Sequence, residues 1–225
     1  MSNILIIFPT KFEAKPALKF LRLKPDSTGL AIGKKVSVLI SAMASPKAKE
    51  RVKSVSKKLN PKRIILCGFC GACNPSFELG DVITEHSLDT DSLNLLRAKT
   101  GKIYSANAIA SQSQKKRLFE VENFDAVEME YLLFSEALKE IEWNGMLEHI
   151  RVVSDTVKSK MPTEFLSIMT NSQTGEMDAG IIVALKYIFQ NPSVIFKLIS
   201  FGIEAGKANK AYEKFLLEYL KILTR

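Results

Sequence analysis

Residues able to do chemistry stand where apolar stretches of this sequence end. In an open α/β sheet, ligands bind at the edge where the strands reach their carboxyl ends, so such residues are the first candidates for a site. Four places qualify: Glu13, the small-residue stretch 68–74, the segment Glu128-Met129-Glu130, and the pair Ser154-Asp155. We expect these places to meet at one cavity.

Asp155 is the candidate general acid. It follows the apolar segment 150–153 directly, and burial there would keep its carboxyl protonated and able to donate a proton near neutral pH. The sequence Ser-Asp-Thr is equally typical of a helix cap or a turn, so spacing alone leaves both interpretations open.

Glu130 and Glu13 carry less specific signals. Glu130 stands at the start of an apolar helix, where the helix dipole would stabilise its charge and its oxygens could hold a pair of hydroxyls. An ordinary first-turn glutamate would look the same. Glu13 stands just inside the first predicted helix and, taken by itself, is more typical of a surface residue.

The spacing Cys67-x-x-Cys70-x-x-Cys73 resembles a metal-binding pattern, because zinc and iron–sulfur clusters need thiolates this close together. His86 or His149 would have to supply a fourth ligand. Cys67 stands in an apolar stretch, however, and a second Cys-x-x-Cys is missing. We therefore expect small buried cysteines and no metal.

The segment Gly68-Phe69-Cys70-Gly71 is only faintly similar to a phosphate-binding loop. It lacks the lysine and hydroxyl of a P-loop and the third glycine of a dinucleotide fingerprint. Two glycines behind a strand do allow the backbone to approach a flat ligand closely.

Short apolar segments alternate with helical patterns in the first 160 residues. Strands are predicted at 3–8, 36–41, 63–67, 81–84, 103–110, 125–128 and 150–153. Helices are predicted at 12–21, 46–58, 113–120 and 129–141. This alternation predicts an α/β domain of three layers with a mostly parallel central sheet.

The C-terminal part of the chain differs in character. Helices are predicted at 178–189 and 193–223, and they are strongly apolar up to residue 203. We therefore divide the chain into a catalytic α/β domain, residues 1–160, and a C-terminal helical extension, residues 161–225, packed on the same domain. The extension either completes the core or offers a hydrophobic wall to an amphiphilic ligand or a membrane surface.

The chain has 225 residues, 46% of them hydrophobic and 25% charged, with a mean hydropathy of +0.04. This composition is typical of a globular protein and excludes disordered, collagen-like and coiled-coil chains. The start of the chain lacks the basic segment of a secretory signal. The three cysteines are too few and too close together for a disulfide framework, so we expect a cytoplasmic protein.

The net charge is +8, from 32 Lys and Arg against 24 Asp and Glu, which favours an anionic partner or surface. The acids are interspersed among the bases, and the sequence has no strip that combines aromatic and basic residues. We therefore expect no nucleic-acid binding.

Taken together and in this order, the four places resemble the purine nucleoside phosphorylase and methylthioadenosine nucleosidase superfamily. The resemblance covers residues 3–158. It is carried by the segments 4–7 (ILII) before Glu13, 67–75 (CGFCGACNP), 79–82 (LGDV), 125–130 (DAVEME) and 151–155 (RVVSD).

The resemblance implies cleavage of the N-glycosidic bond of a purine nucleoside, without a metal or organic cofactor. It implies that Asp155 protonates the leaving purine, that Glu13 activates the attacking water, and that Met129 and Glu130 hold the ribose. Further substrate-binding residues are expected at Glu128, Ser154, Gly68, Phe69 and Cys70.

Two departures from the family pattern bear on the reaction. Phosphorolytic relatives supply an arginine and a hydroxyl to phosphate, where this chain has Leu66 and Phe69. A phosphate dianion would lose its hydration there without compensation, so water is the favoured nucleophile. The stretch 112–116 is polar where the family has a purine-stacking aromatic, and Phe69 is a candidate to replace it.

Residues 105–120 and the C-terminal tail resemble the hopanoid-associated branch of the superfamily, and residues 8–14 resemble futalosine hydrolase. The resemblance therefore implies a nucleoside with a bulky 5′ substituent, a hopanoid-linked adenosine or, alternatively, futalosine. Phosphorolysis and nucleoside or lipid binding without turnover are further alternatives. A homodimer and peripheral contact with a membrane are expected by analogy.

Overall fold

The computed structural model describes residues 3–86, 90–159 and 194–225, which form one nine-stranded sheet and six helices. The strands are β1 (Ile4–Phe8), β2 (Leu30–Ala31), β3 (Val36–Ile40), β4 (Arg63–Ala72), β5 (Val82–His86), β6 (Lys99–Thr100), β7 (Ile103–Ser105), β8 (Ala126–Glu128) and β9 (Met146–Asp155). The helices are α1 (Lys11–Leu21), α2 (Pro46–Leu59), α3 (Thr90–Leu96), α4 (Gln112–Glu120), α5 (Tyr131–Glu140) and α6 (Val194–Thr224).

The sheet has the strand order β2-β3-β1-β4-β9-β5-β6, and β8 joins it by pairing with β4 and β7. The central strands β3, β1, β4 and β9 are parallel to one another. Antiparallel pairs occur between β2 and β3, β4 and β8, and β5 and β9. The predicted mostly parallel α/β sheet is confirmed.

Helices cover both faces of the sheet. Helices α1 and α6 pack on one face, where Ala14, Tyr212 and Leu216 join the core beneath β1, β3, β4 and β9. Helices α2 and α5 pack on the other face, where Val52 and Phe134 join a second core. The three layers are therefore as predicted, and α6 is part of the main core rather than a separate appendage.

Local signals set the helix boundaries that position the site. Helix α1 begins behind the N-cap Thr10, whose hydroxyl accepts a hydrogen bond from the Glu13 amide. Helix α2 begins behind the N-cap Ser45 with Pro46 in its first turn, and ends at Asn60 in a left-handed conformation.

Two local predictions were wrong. The stretch 68–72, expected as a turn, continues β4 as strand because it pairs with β9 on one side and with β8 on the other. Strand β7 ends at Ser105, well before the predicted residue 110. The helix predicted at 178–189 lies outside the described residues.

Among the helices that the structure describes, none contains a stretch apolar and long enough to cross a membrane.

Candidate active site

A cavity of about 430 Å³ opens at the carboxyl ends of β1 and β9, over the last residues of β4 and β8. Its size is within the range of small-molecule sites. Eight residues singled out from the sequence line it: Glu13, Phe69, Cys70, Glu128, Met129, Glu130, Ser154 and Asp155. Residues separated by more than 140 positions in the chain therefore meet at one place.

Gly68, the ninth predicted site residue, lies behind the wall of the cavity. A Cβ at this position would stand 2.5 Å from Nη1 of Arg151 and 2.6 Å from Oε1 of Glu13. Only a glycine leaves room for this arginine and this glutamate to approach each other across β4.

Glu13 is held in a fixed orientation at one end of the cavity. The Thr10 hydroxyl donates a hydrogen bond of 2.5 Å to Oε2, and the backbone amide of Phe69 donates one of 3.1 Å to Oε1. The hydroxyl of Tyr212 on α6 donates to the Glu13 backbone carbonyl at 3.0 Å. Burial raises the pKa of Glu13, and the hydrogen bond from Thr10 and the charge of Arg151 oppose this shift.

Arg151, on β9, connects the acidic residues and was not among the predicted site residues. Its side chain is fully buried, Nη2 donates to Glu128 and, at 3.2 Å, to Glu130, and Nε donates to Nε2 of His149 at 3.0 Å. Nη1 has no hydrogen-bond partner among the described residues. We call Arg151, Glu13, Glu128 and Glu130 the Arg151 cluster.

The glutamates of the Arg151 cluster differ in protonation. Burial opposes the charge of Glu128, but the charge of Arg151 and the hydrogen bond from the Ser105 hydroxyl outweigh it and lower its pKa. Burial raises the pKa of Glu130 despite Arg151, and the neighbouring carboxylates raise it further. One arginine cannot neutralise three carboxylates, and Glu130 is the member of the cluster that keeps a proton most readily.

The start of α5 binds Glu128 rather than Glu130. The Glu128 carboxylate accepts hydrogen bonds from the backbone amides of Glu130 at 2.9 Å and Tyr131 at 3.1 Å. Glu130 stands at the start of α5 as expected, as its N-cap residue, but its side chain makes no cap hydrogen bond and burial raises its pKa. Its carboxyl faces the cavity instead.

Asp155 lies at the other end of the cavity, with 2% of its surface exposed. One of its oxygens pairs with Nζ of Lys115, and the other lies 2.8 Å from the Ser154 hydroxyl. Lys115, on α4, is also buried, and burial lowers its pKa to about 8. The predicted polar stretch 112–116 thus brings a cation to the candidate acid.

The three cysteines are free and buried, as predicted. Burial raises the pKa of each thiol to about 12, so they stay protonated. Over the residues that the structure describes, no group of three or more His, Cys, Asp or Glu side chains is arranged to hold a metal ion.

Sequence reasoning missed Arg151 and Lys115. An arginine inside the apolar segment 150–153 cannot remain buried without acidic partners, and that contradiction was the available signal. Lys115 stands in a basic run that is typical of a solvated helix face, and only the tertiary structure turns it inward.

The fold of this chain is shared by solved structures of nucleosidases. No protein-family model and no curated protein sequence matches this chain. Three solved structures share its fold at 14–15% identity.

The first is 5′-methylthioadenosine nucleosidase from Arabidopsis thaliana, with a TM-score of 0.68 over 99% of this chain and 96% of that one, at 14% identity. A futalosine hydrolase mutant from Helicobacter pylori gives 0.64 over 98% and 99%, at 14% identity. The 5′-methylthioadenosine/S-adenosylhomocysteine nucleosidase from Neisseria meningitidis, in complex with methylthio-immucillin-A, gives 0.63 over 98% and 99%, at 15% identity.

Proposed function

We propose that this protein is a nucleosidase that hydrolyses the N-glycosidic bond of a purine nucleoside. The observation that carries the proposal is the convergence of Glu13, Glu130 and Asp155, all buried, on one cavity in a nucleosidase fold. A carboxyl at each end of a cavity is the arrangement that glycoside-cleaving enzymes use to activate water and to protonate a leaving group.

The distance between the two ends of the site suits a nucleoside. Glu13 lies against Gly68, and Asp155 lies against Gly71, three residues further along β4. Three residues of a strand span about 10 Å. A ribose and its base can lie between the two carboxyls, with the sugar towards Glu13 and the base towards Asp155.

Glu13 and Arg151 are the proposed water site. Glu13 is already oriented by Thr10 and Phe69, and Nη1 of Arg151 lies beside it without a partner. In the reaction the C1′–N9 bond breaks with its electrons going to N9, and the water oxygen bonds to C1′. The water proton passes to Glu13, which is a stronger base because burial raises its pKa.

Glu130 and Met129 are proposed to hold the ribose. The Glu130 carboxyl stands between the two ends of the cavity, fixed by Arg151, and can bind two adjacent hydroxyls. Met129 lines the same wall and can pack on the sugar face. Asp155, next to Ser154, is proposed to donate the proton that N7 of the leaving purine takes up.

Water is the proposed nucleophile, as opposed to phosphate. The two cations at the site are both engaged, Arg151 by three glutamates and Lys115 by Asp155. A phosphate dianion would meet the acidic residues around Glu13 without a free cation among the described residues.

The rim of the cavity supports a bulky apolar 5′ substituent. Phe12 stands at the rim with 59% of its surface exposed, and Met43, Ala205 and Ala208 line the cavity near it. A hopanoid-linked adenosine and futalosine are the two candidates that the sequence resemblance adds. Pairing into a homodimer and contact of the C-terminal helices with a bilayer stay predictions.

The decisive experiment measures free base released from methylthioadenosine, futalosine and a lipid-linked adenosine, each with and without phosphate. We expect release that does not depend on phosphate, and a loss of about 10²-fold or more in the Asp155→Asn variant. The control is Asp26→Asn, which changes an exposed loop aspartate far from the cavity.

Two results would contradict the proposal in different ways. A rate that requires phosphate would make the protein a phosphorylase. Tight binding of nucleosides without any base release would make it a binding protein.

A further inference from the structure

Lys115 has hydrogen-bonding capacity that the protein does not use. An ammonium group carries three N–H donors. One is directed at Asp155, and no other hydrogen bond of Lys115 Nζ occurs among the described residues. Because the side chain lines the cavity, the remaining donors are available to a ligand bound there.

The surroundings of Lys115 fix where these donors lie. Gly71, on β4, brings the backbone so close that a Cβ there would stand 2.8 Å from Nζ and 3.2 Å from the Asp155 carboxylate. Burial lowers the pKa of Lys115 to about 8, so the side chain is mostly charged at pH 7. Lys115 thus lines the end of the cavity assigned to the base with two unused donors, and the Glu204 carboxylate of α6, which has one buried oxygen without a partner among the described residues, is a further charge that acts on it.

Purines differ in the hydrogen-bonding groups at the edge that carries position 6 and N7, and a cation can discriminate between them. A 6-oxopurine presents two acceptors side by side, O6 and N7, whereas a 6-aminopurine presents the N7 acceptor beside an amino donor. An ammonium group beside Asp155 matches the first pattern. Against a 6-aminopurine, the N–H donors of the ammonium group would face the N–H donors of the amino group.

Asp155 does not compensate for this mismatch. One of its oxygens is paired with Lys115, and the other lies 2.8 Å from the Ser154 hydroxyl. The Ser154 hydroxyl also lies 3.1 Å from the Cys70 carbonyl. With a 6-aminopurine the unused donors of Lys115 would face an amino group and stay unpaired, whereas an O6 atom would accept from them.

We infer that Lys115 selects nucleosides of 6-oxopurines by donating a hydrogen bond to O6 of the base, beside the N7 atom that Asp155 is proposed to protonate. This inference rests on the proposed function and narrows it, because it disfavours adenosine as the nucleoside part of the substrate. Lys115 would also stabilise the negative charge that develops on the departing 6-oxopurine ring, since a fixed cation in a buried site acts without reorganisation.

The test compares matched substrates that differ only at position 6: inosine against adenosine, and 5′-methylthioinosine against 5′-methylthioadenosine. We expect kcat/KM of the unaltered protein to favour the 6-oxo member by about 10²-fold or more, as in sites built to bond one polar group. In Lys115→Met we expect this preference to fall to within about 10-fold, through loss on the 6-oxo substrates.

Lys116→Met is the matched control, because Lys116 is the next residue on the same helix and its side chain is 69% exposed. We expect it to keep the preference. Thermal unfolding of both variants reports whether the fold is intact. If Lys115→Met does not fold, Lys115→Gln replaces it.

The outcomes separate this inference from the proposed function. If the protein releases base from the 6-oxo and 6-amino substrates with equal efficiency, or prefers the 6-amino substrates, the role of Lys115 is contradicted. The proposed nucleosidase function is not affected by that result. Release from none of the four substrates, and from neither futalosine nor a lipid-linked adenosine, would overturn the nucleosidase. In that case the role of Lys115 is tested by calorimetry with the free bases hypoxanthine and adenine. The role is contradicted unless hypoxanthine binds more tightly than adenine and Lys115→Met removes this difference in affinity.

Discussion

Two arginine–glutamate clusters involve strand β9 and differ in charge balance and access. At the amino end of β4, Arg63 bonds Glu148 of β9 at 2.6 Å, and the Tyr219 hydroxyl of α6 donates to the same carboxylate at 2.7 Å. We call these three residues the Arg63 cluster. Its one cation and one carboxylate neutralise each other.

The Arg151 cluster uses the same residue types in another proportion. One arginine serves three glutamates, each of which also lines the cavity. A buried cluster whose charges do not cancel, and which a ligand can reach, is the more suitable place for chemistry. The Arg63 cluster is closed and neutral, whereas the Arg151 cluster offers a cavity ligand unbalanced charge and hydrogen-bond acceptors.

The largest expected difference between the two clusters is the effect of replacing their arginines on the rate of base release. We expect Arg151→Met to lower base release by about 10³-fold, because it removes the cation that orients Glu130 and the proposed water. It should also cost about 3–5 kcal/mol of unfolding free energy, since buried acids lose their partner. Arg63→Met should leave the rate unchanged. Urea denaturation and base-release assays measure both effects, and equal rate losses in the two variants would dismiss the distinction.

Removing a carboxylate from each cluster gives the next largest effect. We expect Glu13→Gln to lower kcat by about 10²-fold, because an amide cannot accept the proton of the water. Glu148→Gln should leave kcat unchanged and cost about 1–3 kcal/mol of stability, since Arg63 and Tyr219 keep a weaker partner. Glu140→Gln, on the surface of α5, is the control. A Glu13→Gln variant that turns over normally would remove Glu13 from its proposed role.

A smaller effect should appear in the pH dependence of stability. Burial raises the pKa of Glu130 above its ordinary 4.5 in the folded protein, so the folded state keeps a proton that the unfolded state has released. The free energy of unfolding therefore falls as the pH rises from 4.5 through the folded-state pKa. Glu130→Gln should flatten this decline in urea titrations, and the exposed variant Glu136→Gln should not. An unchanged slope in Glu130→Gln would contradict the raised pKa.

The smallest expected effect comes from Tyr219→Phe. It removes one hydroxyl from the Arg63 cluster and should cost about 1 kcal/mol of unfolding free energy. Base release should not change, because the Arg63 cluster lies apart from the cavity. A rate loss larger than 3-fold, ~0.65 kcal/mol, would show that the two clusters are coupled through β4 and β9.

Much of the fold could be predicted because its signals are local. The apolar runs of β1 and β3 and the N-cap before Pro46 identify their elements by composition alone. The continuation of β4 through 68–72 could not be predicted. Glycines and cysteines in a row indicate a turn, and only pairing with β8 and β9 makes them strand.

The site was predictable to the extent that its residues follow strand ends. Glu13, Glu130 and Asp155 were found in this way. Arg151 and Lys115 were missed because the role of each depends on its neighbours in the fold. Arg151 is surrounded by three glutamates, and Lys115 is paired with Asp155. Burial of a charged side chain depends on the tertiary structure, and the sequence around a basic residue in a strand or a helix does not indicate whether it is buried.

The hydrogen bond from Tyr212 to the backbone of Glu13 joins residues 199 positions apart. A contact of such long range forms late in folding, after the chain between its ends has become compact. During synthesis, the α/β core can emerge and collapse while Glu13, the proposed base, still lacks its support from α6. Under the proposed function, full activity would then require the docking of the last helix.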